Sequence, residues 1–535
     1  MAPRVLVSDK LSPTVVQIFK DRGIEVDYLP DLGRCKEKLS EVIDQYDGLA
    51  IRSATKVSEK IIDAAIRLKI IGRAGIGVDN IDILAASRRG IIVMNTPFGN
   101  SITTAEHAIA LIFALSRQIP EANFSTKSGK WEKNRFMGVE ITGKTLGIIG
   151  CGNIGSIVAL RAIGLKMYVV AFDPFLSKTR AEELGVQKVE LDELLARSDF
   201  ITLHTPLTNR TRSIIDAATI AKMKDGVRII NCARGELIVE KDLVRALKSG
   251  KIAGAGIDVF EEEPPVSSNP LFHLEMVICT PHLGAATSEA QENVAIQVAE
   301  QMSDYLINGA VSNSINMPSI ALKEAPRLKP FIKLAEVLGA FAGQLTEEDI
   351  QSIEILFDGN TAAMNTRALI SAILAGLVRT QMTDVNMVSA PIMIKERGII
   401  VSEIKRDKSS VFDGYIRLTL HTSQRIRSVA GTCFSDGKPR FIQIKDIHLD
   451  AEVGRHMLYI TNSDTPGIIG IIGSVCGKHG VNIANFALGR NMPGGDAIAI
   501  LYLDERIPAK VLSELLQVPG IRQARPLEFD MERIA

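Results

Sequence analysis

Three glycines leave the middle of this chain little conformational choice. Gly150-Cys-Gly152-Asn153-Ile154-Gly155 directly follows the apolar run Thr145-Leu-Gly-Ile-Ile149 and opens a helical pattern. Strand, tight turn and helix in that order are the first unit of a doubly wound parallel sheet. Glycines there let the backbone and the helix N-terminus close on a pyrophosphate. The alternative is the same turn with no ligand. Eighteen residues beyond Gly155, Asp173 ends the next strand-like run, Val169-Val-Ala-Phe-Asp173. A carboxylate at that position accepts hydrogen bonds from ribose hydroxyls and repels a 2′-phosphate, so NAD is expected rather than NADP. Cys151 reads as a small residue in the turn.

The pattern extends in both directions. Short β-branched runs at 5–7, 48–52 and 70–72 alternate with helical stretches, which predicts βαβ units and a first parallel lobe. After a long helix over 101–117, a second series runs through 144–150, 167–172, 200–204, 227–231 and 277–280. Another long helix is expected over 288–308, then a linker at 309–318 rich in Gly, Ser, Asn and Pro. If that helix packs back on the first lobe, the second lobe is an insertion. Residues 319–452 begin helical and end strand-like, which reads as a separate α+β unit without recognisable chemistry. The last eighty residues run strand, helix, two strands, helix, strand, the order of a ferredoxin-like βαββαβ module. The expected class is α/β with two doubly wound parallel-sheet lobes. A Rossmann-like nucleotide domain (99–282) is inserted in a discontinuous substrate domain (1–98 and 283–312), followed by an intervening domain (319–452) and the βαββαβ domain (455–535).

Composition narrows the functional classes. The 535 residues suffice for roughly three or four domains. With 46% hydrophobic residues and 62 basic against 62 acidic side chains, the chain can bury large cores. It lacks the charge excess of a protein that coats nucleic acid or an anionic membrane. No apolar run of membrane-spanning length is uninterrupted, and the first residues are too short in apolar core for a signal peptide. Six cysteines at 35, 151, 232, 279, 433 and 476 form no CxxC pair, as expected of reduced thiols in the cytoplasm. No cysteine-ligated metal is expected.

Polar residues cluster beside glycine and proline at three later strand ends: Asn231-Cys-Ala-Arg234-Gly235, Gly256-Ile-Asp258-Val-Phe-Glu-Glu-Glu263-Pro264 and Thr280-Pro-His282-Leu-Gly284-Ala285. Carboxyl ends of strands in such a sheet converge on the bound nucleotide. An arginine, a glutamate and a histidine there suit oxidation of a 2-hydroxy acid. His282 can take the hydroxyl proton, Glu263 can orient and stabilise its imidazolium, and Arg234 can hold the carboxylate and polarise the nascent carbonyl. Taken singly, Glu263 could belong to a solvated acidic run, His282 to a loop cap and Arg234 to a surface ion pair. His107, inside the long helix, reads as structural, and His204 as lining the cofactor pocket.

The glycine fingerprint and these three segments resemble the D-isomer-specific 2-hydroxyacid dehydrogenases across residues 1–312. Arg73-Ala-Gly-Ile-Gly-Val-Asp-Asn80, Asn95-Thr-Pro-Phe-Gly-Asn-Ser101 and Trp131-Glu-Lys-Asn-Arg135-Phe-Met-Gly138 carry the likeness to the family's 3-phospho-D-glycerate branch. The resemblance implies Arg234, Glu263 and His282 as the catalytic trio. It implies NAD contacts from Gly150, Gly152, Asn153, Ile154, Gly155, Asp173, Thr205, Cys232, Ala233, Arg234, Asp258, His282, Gly284 and Ala285. It further implies oxidation of 3-phospho-D-glycerate to 3-phosphohydroxypyruvate, opening the phosphorylated route to L-serine. The alternatives are a dehydrogenase for another small D-2-hydroxy acid and a nonenzymatic NAD-sensing, corepressor-like protein.

A phosphorylated three-carbon acid needs cations beyond the hydride-transfer centre, and guanidinium forks suit phosphate. Arg52, Arg73 and Arg135 occupy the family's phosphate-facing segments, Arg135 reaching across from a neighbouring subunit. By resemblance, Gly75, Asn100 and Ser101 hold the carboxylate end. Asn462-Ser-Asp464-Thr-Pro-Gly467 and Gly480-Val-Asn482 look like an ACT domain, with Asn462, Asp464 and Asn482 at the positions that hold effector serine. Asn462 and Asp464 depart from the amide and histidine of some serine-inhibited relatives. The alternative is a module that only dimerises. A cytoplasmic homo-oligomer, dimer or tetramer, is expected.

Overall fold

A computed structural model describes residues 2–382, 385–407, 412–434 and 436–530. Met1 and residues 531–535, which the first and last expected units include, lie outside the described residues. Two of its four sheets are wholly parallel. The first has five strands in the order Glu25–Tyr28, Arg4–Val7, Gly48–Ile51, Ile70–Arg73 and Ile92–Asn95. Gly48–Ile51 at its centre and Ile92–Asn95 at its edge are buried along their whole length, because helices cover both faces. One cover is the helix Ser288–Asn308, which returns to this sheet from far along the chain. Its Val294, Ala295, Val298 and Met302 share a core with Val5, Val7, Ile70 and Ile92. Met302 fills the space that a side chain on Gly72 would need.

The second sheet has seven parallel strands, ordered Val277–Cys279, Ile252–Ile257, Val227–Asn231, Phe200–Leu203, Thr145–Ile149, Tyr168–Phe172 and Gln187–Lys188. The strand order reverses between Thr145–Ile149 and Phe200–Leu203. A crevice opens at the carboxyl ends of strands at such a switch point. The helix Ser101–Arg117 connects the two lobes and packs Ala105, Ala108, Ile112 and Leu115 into the second lobe's core.

Six strands form the third sheet, antiparallel except where Ile350–Gly359 pairs with Ile400–Arg406. The helices Ala325–Leu345 and Thr366–Arg379 meet backbone to backbone. A Cβ on Gly339 would strike the Ile373 carbonyl, and one on Gly376 the Glu336 carbonyl. Glycine is what allows so close a crossing.

The last sheet is antiparallel, ordered Ile483–Arg490, Asp496–Leu503, His456–Ser463 and Ile521–Glu528, with the helices Ile468–Lys478 and Ala509–Leu516 between strands. Strand alternation divides its side chains. Leu458, Ile460, Leu501 and Leu503 meet the two helices. Met457, Tyr459, Ile498, Ile500 and Leu527 turn the other way, into a core shared with Phe341 and Phe441 of the intervening region. The Tyr459 and Phe341 rings lie 5.9 Å apart, edge to face. Gln344 exchanges two 2.9 Å hydrogen bonds with the Glu528 backbone. The terminal module is therefore packed on the intervening sheet rather than tethered to it. That region in turn grips the first lobe through Arg88–Glu396 (2.8 Å) and the Asn386 amide on the Gly90 carbonyl (2.8 Å). Among the described residues no helix is long and apolar enough to cross a membrane.

Replacing Gly376 by Val is expected to wedge the two helices apart and to cost about 1–3 kcal/mol, read as a lowered urea midpoint with unchanged helix content.

Candidate active site

At the switch point each glycine of the fingerprint has a distinct steric reason. Gly150 has φ +92°, and a Cβ on it would lie 2.8–2.9 Å from the His204 and Thr205 backbone. Gly155 packs on the Gly150 carbonyl, which brings the helix Asn153–Gly164 against the strand. Gly152 faces open space, with nothing within 4 Å of where its Cβ would be. The turn thus has a bare backbone and the free N–H groups of a helix start, with Asn153 and Ile154 opening that helix. Asp173 stands beside it, its two oxygens accepting the Cys151 and Phe175 N–H groups at 2.9 and 2.8 Å. Each oxygen keeps lone-pair capacity for a ribose hydroxyl. These residues fit NAD. Burial holds the Cys151 thiol up at about 11 and the His204 imidazole down at about 4, so neither carries charge at neutral pH. His204 Nε2 pairs with Thr202 Oγ1 at 2.9 Å.

The trio meets at the ends of neighbouring strands. Asn231 shapes the first turn, its amide donating to the Arg234 carbonyl (2.8 Å) and its oxygen accepting from Ala233 N–H (3.0 Å). Cys232 is buried in this turn. Arg234 then reaches toward the first lobe, where Asp79 accepts its Nε and Nη2 at 2.8 Å. Nη2 occupies the place of a side chain on Gly77. Glu263 Oε2 lies 2.7 Å from His282 Nδ1, and Oε1 accepts the Phe260 N–H at 3.2 Å. Burial alone would raise the Glu263 pKa, but the His282 contact and the Phe260 N–H outweigh it and hold the carboxyl below its usual range. The His282 backbone is left-handed, φ +55°. With Nδ1 on the carboxylate, its Nε2 makes no hydrogen bond among the described residues and is available to exchange a proton with a ligand.

Asp258, wholly buried, organises the His282 turn. Its Oδ1 accepts Thr280 Oγ1 (2.5 Å) and Leu283 N–H (2.7 Å), and its Oδ2 accepts Gly284 N–H (2.8 Å), with Ala285 next in the turn. Its own carbonyl accepts the His282 N–H at 2.9 Å.

Facing this edge across the crevice, the first lobe presents more cations. The Arg73 guanidinium lies over Gly75, and burial, then the Arg234 and Arg52 charges, push it down to about 10. Its Nε is buried without a partner, as is Asn100 Oδ1. The Arg52 guanidinium makes no hydrogen bond or ion pair among the described residues, while its backbone N–H is held by Asp9 at 2.6 Å. Ser101 Oγ donates to the Pro97 carbonyl, which Asn153 Nδ2 also approaches at 3.3 Å, so this loop abuts the nucleotide turn.

Two sets of expected residues are not assembled within one chain. Arg135 pairs with Glu132 (3.2 Å) and Glu275 (3.1 Å) beside Arg228, Gly254 and Met276, at the amino ends of the strands and the wrong edge of the sheet for the trio. Asn462 and Asp464 lie where Ser463 pairs with Asp496, whereas Asn482 precedes Ile483, paired with Leu503 at the opposite end of the module. Asn462 is buried with Oδ1 unpartnered, and Asn482 donates to Asp504 at 2.6 Å. The Asp464 charge, expected to meet an ammonium group, is already paired with Arg490 at 2.8 Å. Sequence reasoning missed Asp79 and Asp9 as anchors of the cation cluster. Asp79 stood within a segment already singled out, Arg73 to Asn80.

Two parallel-sheet lobes, the second with an Arg/Glu/His site beside its switch point, define an oxidoreductase of 2-hydroxy acids. Residues 109–284 match the description "D-isomer specific 2-hydroxyacid dehydrogenase, NAD binding domain", and 327–445 match "D-3-phosphoglycerate dehydrogenase intervening domain". A D-3-phosphoglycerate dehydrogenase from Synechocystis is 43% identical over 97% of this chain and 94% of its own. One from Archaeoglobus fulgidus is 40% identical over 98% of this chain and 100% of its own. Among solved structures, a glyoxylate reductase from Paecilomyes thermophila covers 59% of this chain and 98% of its own (33% identity, TM-score 0.55). A D-lactate dehydrogenase from Aquifex aeolicus, complexed with NAD and lactic acid, covers 59% and 100% (27%, 0.52). The chain belongs to the D-isomer-specific 2-hydroxyacid dehydrogenases, among their D-3-phosphoglycerate dehydrogenases, and is an NAD-dependent oxidoreductase.

Two outcomes follow. Burial would raise the Asp258 pKa, but the hydrogen bonds of His107, Thr280 and Leu283 outweigh it and lower it. Its ionised form stabilises the fold above the ordinary carboxylate pKa of about 4 and loses that effect as pH falls through the lower folded value. Asp258→Asn is therefore expected to lower the melting temperature at pH 7, by a margin that shrinks below about pH 4. Asp173→Gly is expected to raise KM for NAD and to narrow the preference over NADP, read from initial rates with each.

Proposed function

We propose that this enzyme oxidises carbon 2 of 3-phospho-D-glycerate to give 3-phosphohydroxypyruvate, the first step of phosphorylated serine synthesis, in the cytoplasm. The observation that carries the reading is the convergence of Arg52, Arg73 and Arg234, with Asp79, among the described residues, the one carboxylate ion-paired to any of them. One guanidinium suffices for the carboxylate of a simple hydroxy acid. The other two answer to a phosphate dianion. Relatives named for this reaction, aligned over 94–100% of their length, support it.

Bound NAD supplies the hydride acceptor. The residues of the chain do the rest. Arg234 binds the substrate carboxylate and polarises the carbon 2 oxygen. His282 Nε2 removes the hydroxyl proton, and Glu263, 2.7 Å from Nδ1, stabilises the imidazolium that results. Gly75, Asn100 and Ser101 border the carboxylate end, while Arg52 and Arg73 take the phosphate. Arg135 serves the site of a second copy, so the oligomer completes it.

We assign residues 1–98 with 283–312 to the substrate domain, 99–282 to the NAD domain, 319–452 to the intervening domain and 455–535 to an ACT domain that binds serine as inhibitor. Its Asn462 and Asp464 end lies opposite its Asn482 end, so a two-fold antiparallel pair of modules would juxtapose them, making the effector site intersubunit.

The test is NADH formation by purified protein with 3-phosphoglycerate against D-glycerate. Selectivity for the phosphorylated acid is expected, with His282→Ala and Arg234→Ala each lowering turnover by about 10²–10⁴-fold. Arg52→Ala should raise KM for the phosphorylated acid and leave that for D-glycerate unchanged. Equal rates with both acids would assign the chain to an unphosphorylated substrate, and no turnover in either direction would favour an NAD sensor. Serine that fails to slow turnover would leave the terminal module a dimerisation unit.

A further inference from the structure

The helix that joins the two lobes also touches the reactive edge, through two side chains one turn apart. Thr104 and His107 share a face of Ser101–Arg117. Thr104 Oγ1 lies 2.9 Å from the Gly284 carbonyl. His107 Nε2 lies 3.1 Å from Thr280 Oγ1 and 3.3 Å from Asp258 Oδ1. These contacts bracket His282, two residues on either side.

Hydrogen bookkeeping decides which atom carries the proton. Thr280 has one hydroxyl hydrogen, and its 2.5 Å contact with Asp258 Oδ1 uses it, since the carboxylate has none to offer. Thr280 Oγ1 can therefore only accept from His107, so Nε2 must bear a hydrogen whether the ring is neutral or charged. Among the described residues, Cys232 also lies close, its sulfur within 4.8 Å of the ligating atoms of His107 and Asp258. Burial and the Asp258 charge keep that thiol protonated, so it brings no competing anion. Among the described residues, the His107 ring is the one basic side chain within 4 Å of the wholly buried Asp258 carboxylate.

We propose that His107 is a positioning residue: its Nε2–H orients Thr280 and the Asp258 carboxylate, and through them sets the turn that aims His282 at the substrate. The inference rests on the hydroxyacid dehydrogenase activity and not on which acid is the substrate. It also gives the lobe-connecting helix a hold on the turn that carries the proton-transferring residue, so lobe orientation and His282 orientation are linked.

Steady-state kinetics with the best acid substrate test this, alongside a crystal structure of each variant. His107→Ala is expected to lower kcat by about 10- to 100-fold, the effect of misplacing a reacting group by about an ångström. KM for the acid should stay within about twofold, because the cations that bind it are untouched. His107→Gln, which can place an amide N–H near the Nε2 position, should restore most of the loss. Thr280→Val, nearly isosteric, should reduce kcat comparably, and its effect should not add to that of His107→Ala. The His107→Ala structure should show residues 280–284 displaced and the His282–Glu263 contact lengthened, a readout that needs no turnover. An unmoved turn, full additivity, or losses in melting temperature and KM that Gln does not rescue would overturn the proposal. Absence of activity in the unsubstituted protein would instead count against the enzymatic reading, leaving the crystallographic comparison to decide this one.

Discussion

Asp258 lies at the end of a buried parallel strand with no solvent contact, and its carboxylate accepts Thr280 Oγ1, Leu283 N–H and Gly284 N–H. An ionised carboxylate in such a place is sustained by these donors, at least one on each oxygen. The same bonds force the chain through the tight turn in which His282 takes a left-handed backbone. A serine or asparagine could not satisfy both N–H groups and the hydroxyl with the same charge. The turn that carries the imidazole facing Glu263 is built on that one buried anion.

Electrostatics across the crevice runs the other way. Burial, and then repulsion from Arg234 and Arg52, brings Arg73 down to about 10, while Asp79, ion-paired to Arg234, and Asp9 offset part of that positive charge. Gly75 and Gly77 exist in this loop because guanidinium groups stand where their side chains would be. Such an arrangement is costly in the free protein and would be relieved by a bound anion.

The distal half of the chain is mechanically continuous with the site. The terminal sheet buries one face on its own helices and the other on Phe341 and Phe441, and the intervening region clasps the first lobe through Asn386 and Glu396. Among the described residues, packing contacts run from the terminal sheet through the intervening region to the sheet that carries Arg73. Packed interfaces of this kind transmit small displacements because cores are dense and resist gradual deformation.

Local chemistry was written plainly in the linear sequence. The fingerprint glycines, Asp173, the three polar strand ends and the βαββαβ order were all legible, because strand periodicity, turn stereochemistry and helix starts depend on neighbours a few residues away. The placing of Arg234, Glu263 and His282 along one edge of the sheet could be read, since each follows a strand whose place in the sheet follows from strand order. Contacts between distant segments were not legible. That Arg234 leans on Asp79, that His107 shares a hydrogen-bond network with Asp258, that Arg135 stands at the far edge, and that Tyr459 is buried against Phe341 all depend on how separately folded layers come together. Pair contacts of that kind leave no periodicity in a chain. They are chosen by packing and charge once the local elements exist, which is why the tertiary structure alone decided them.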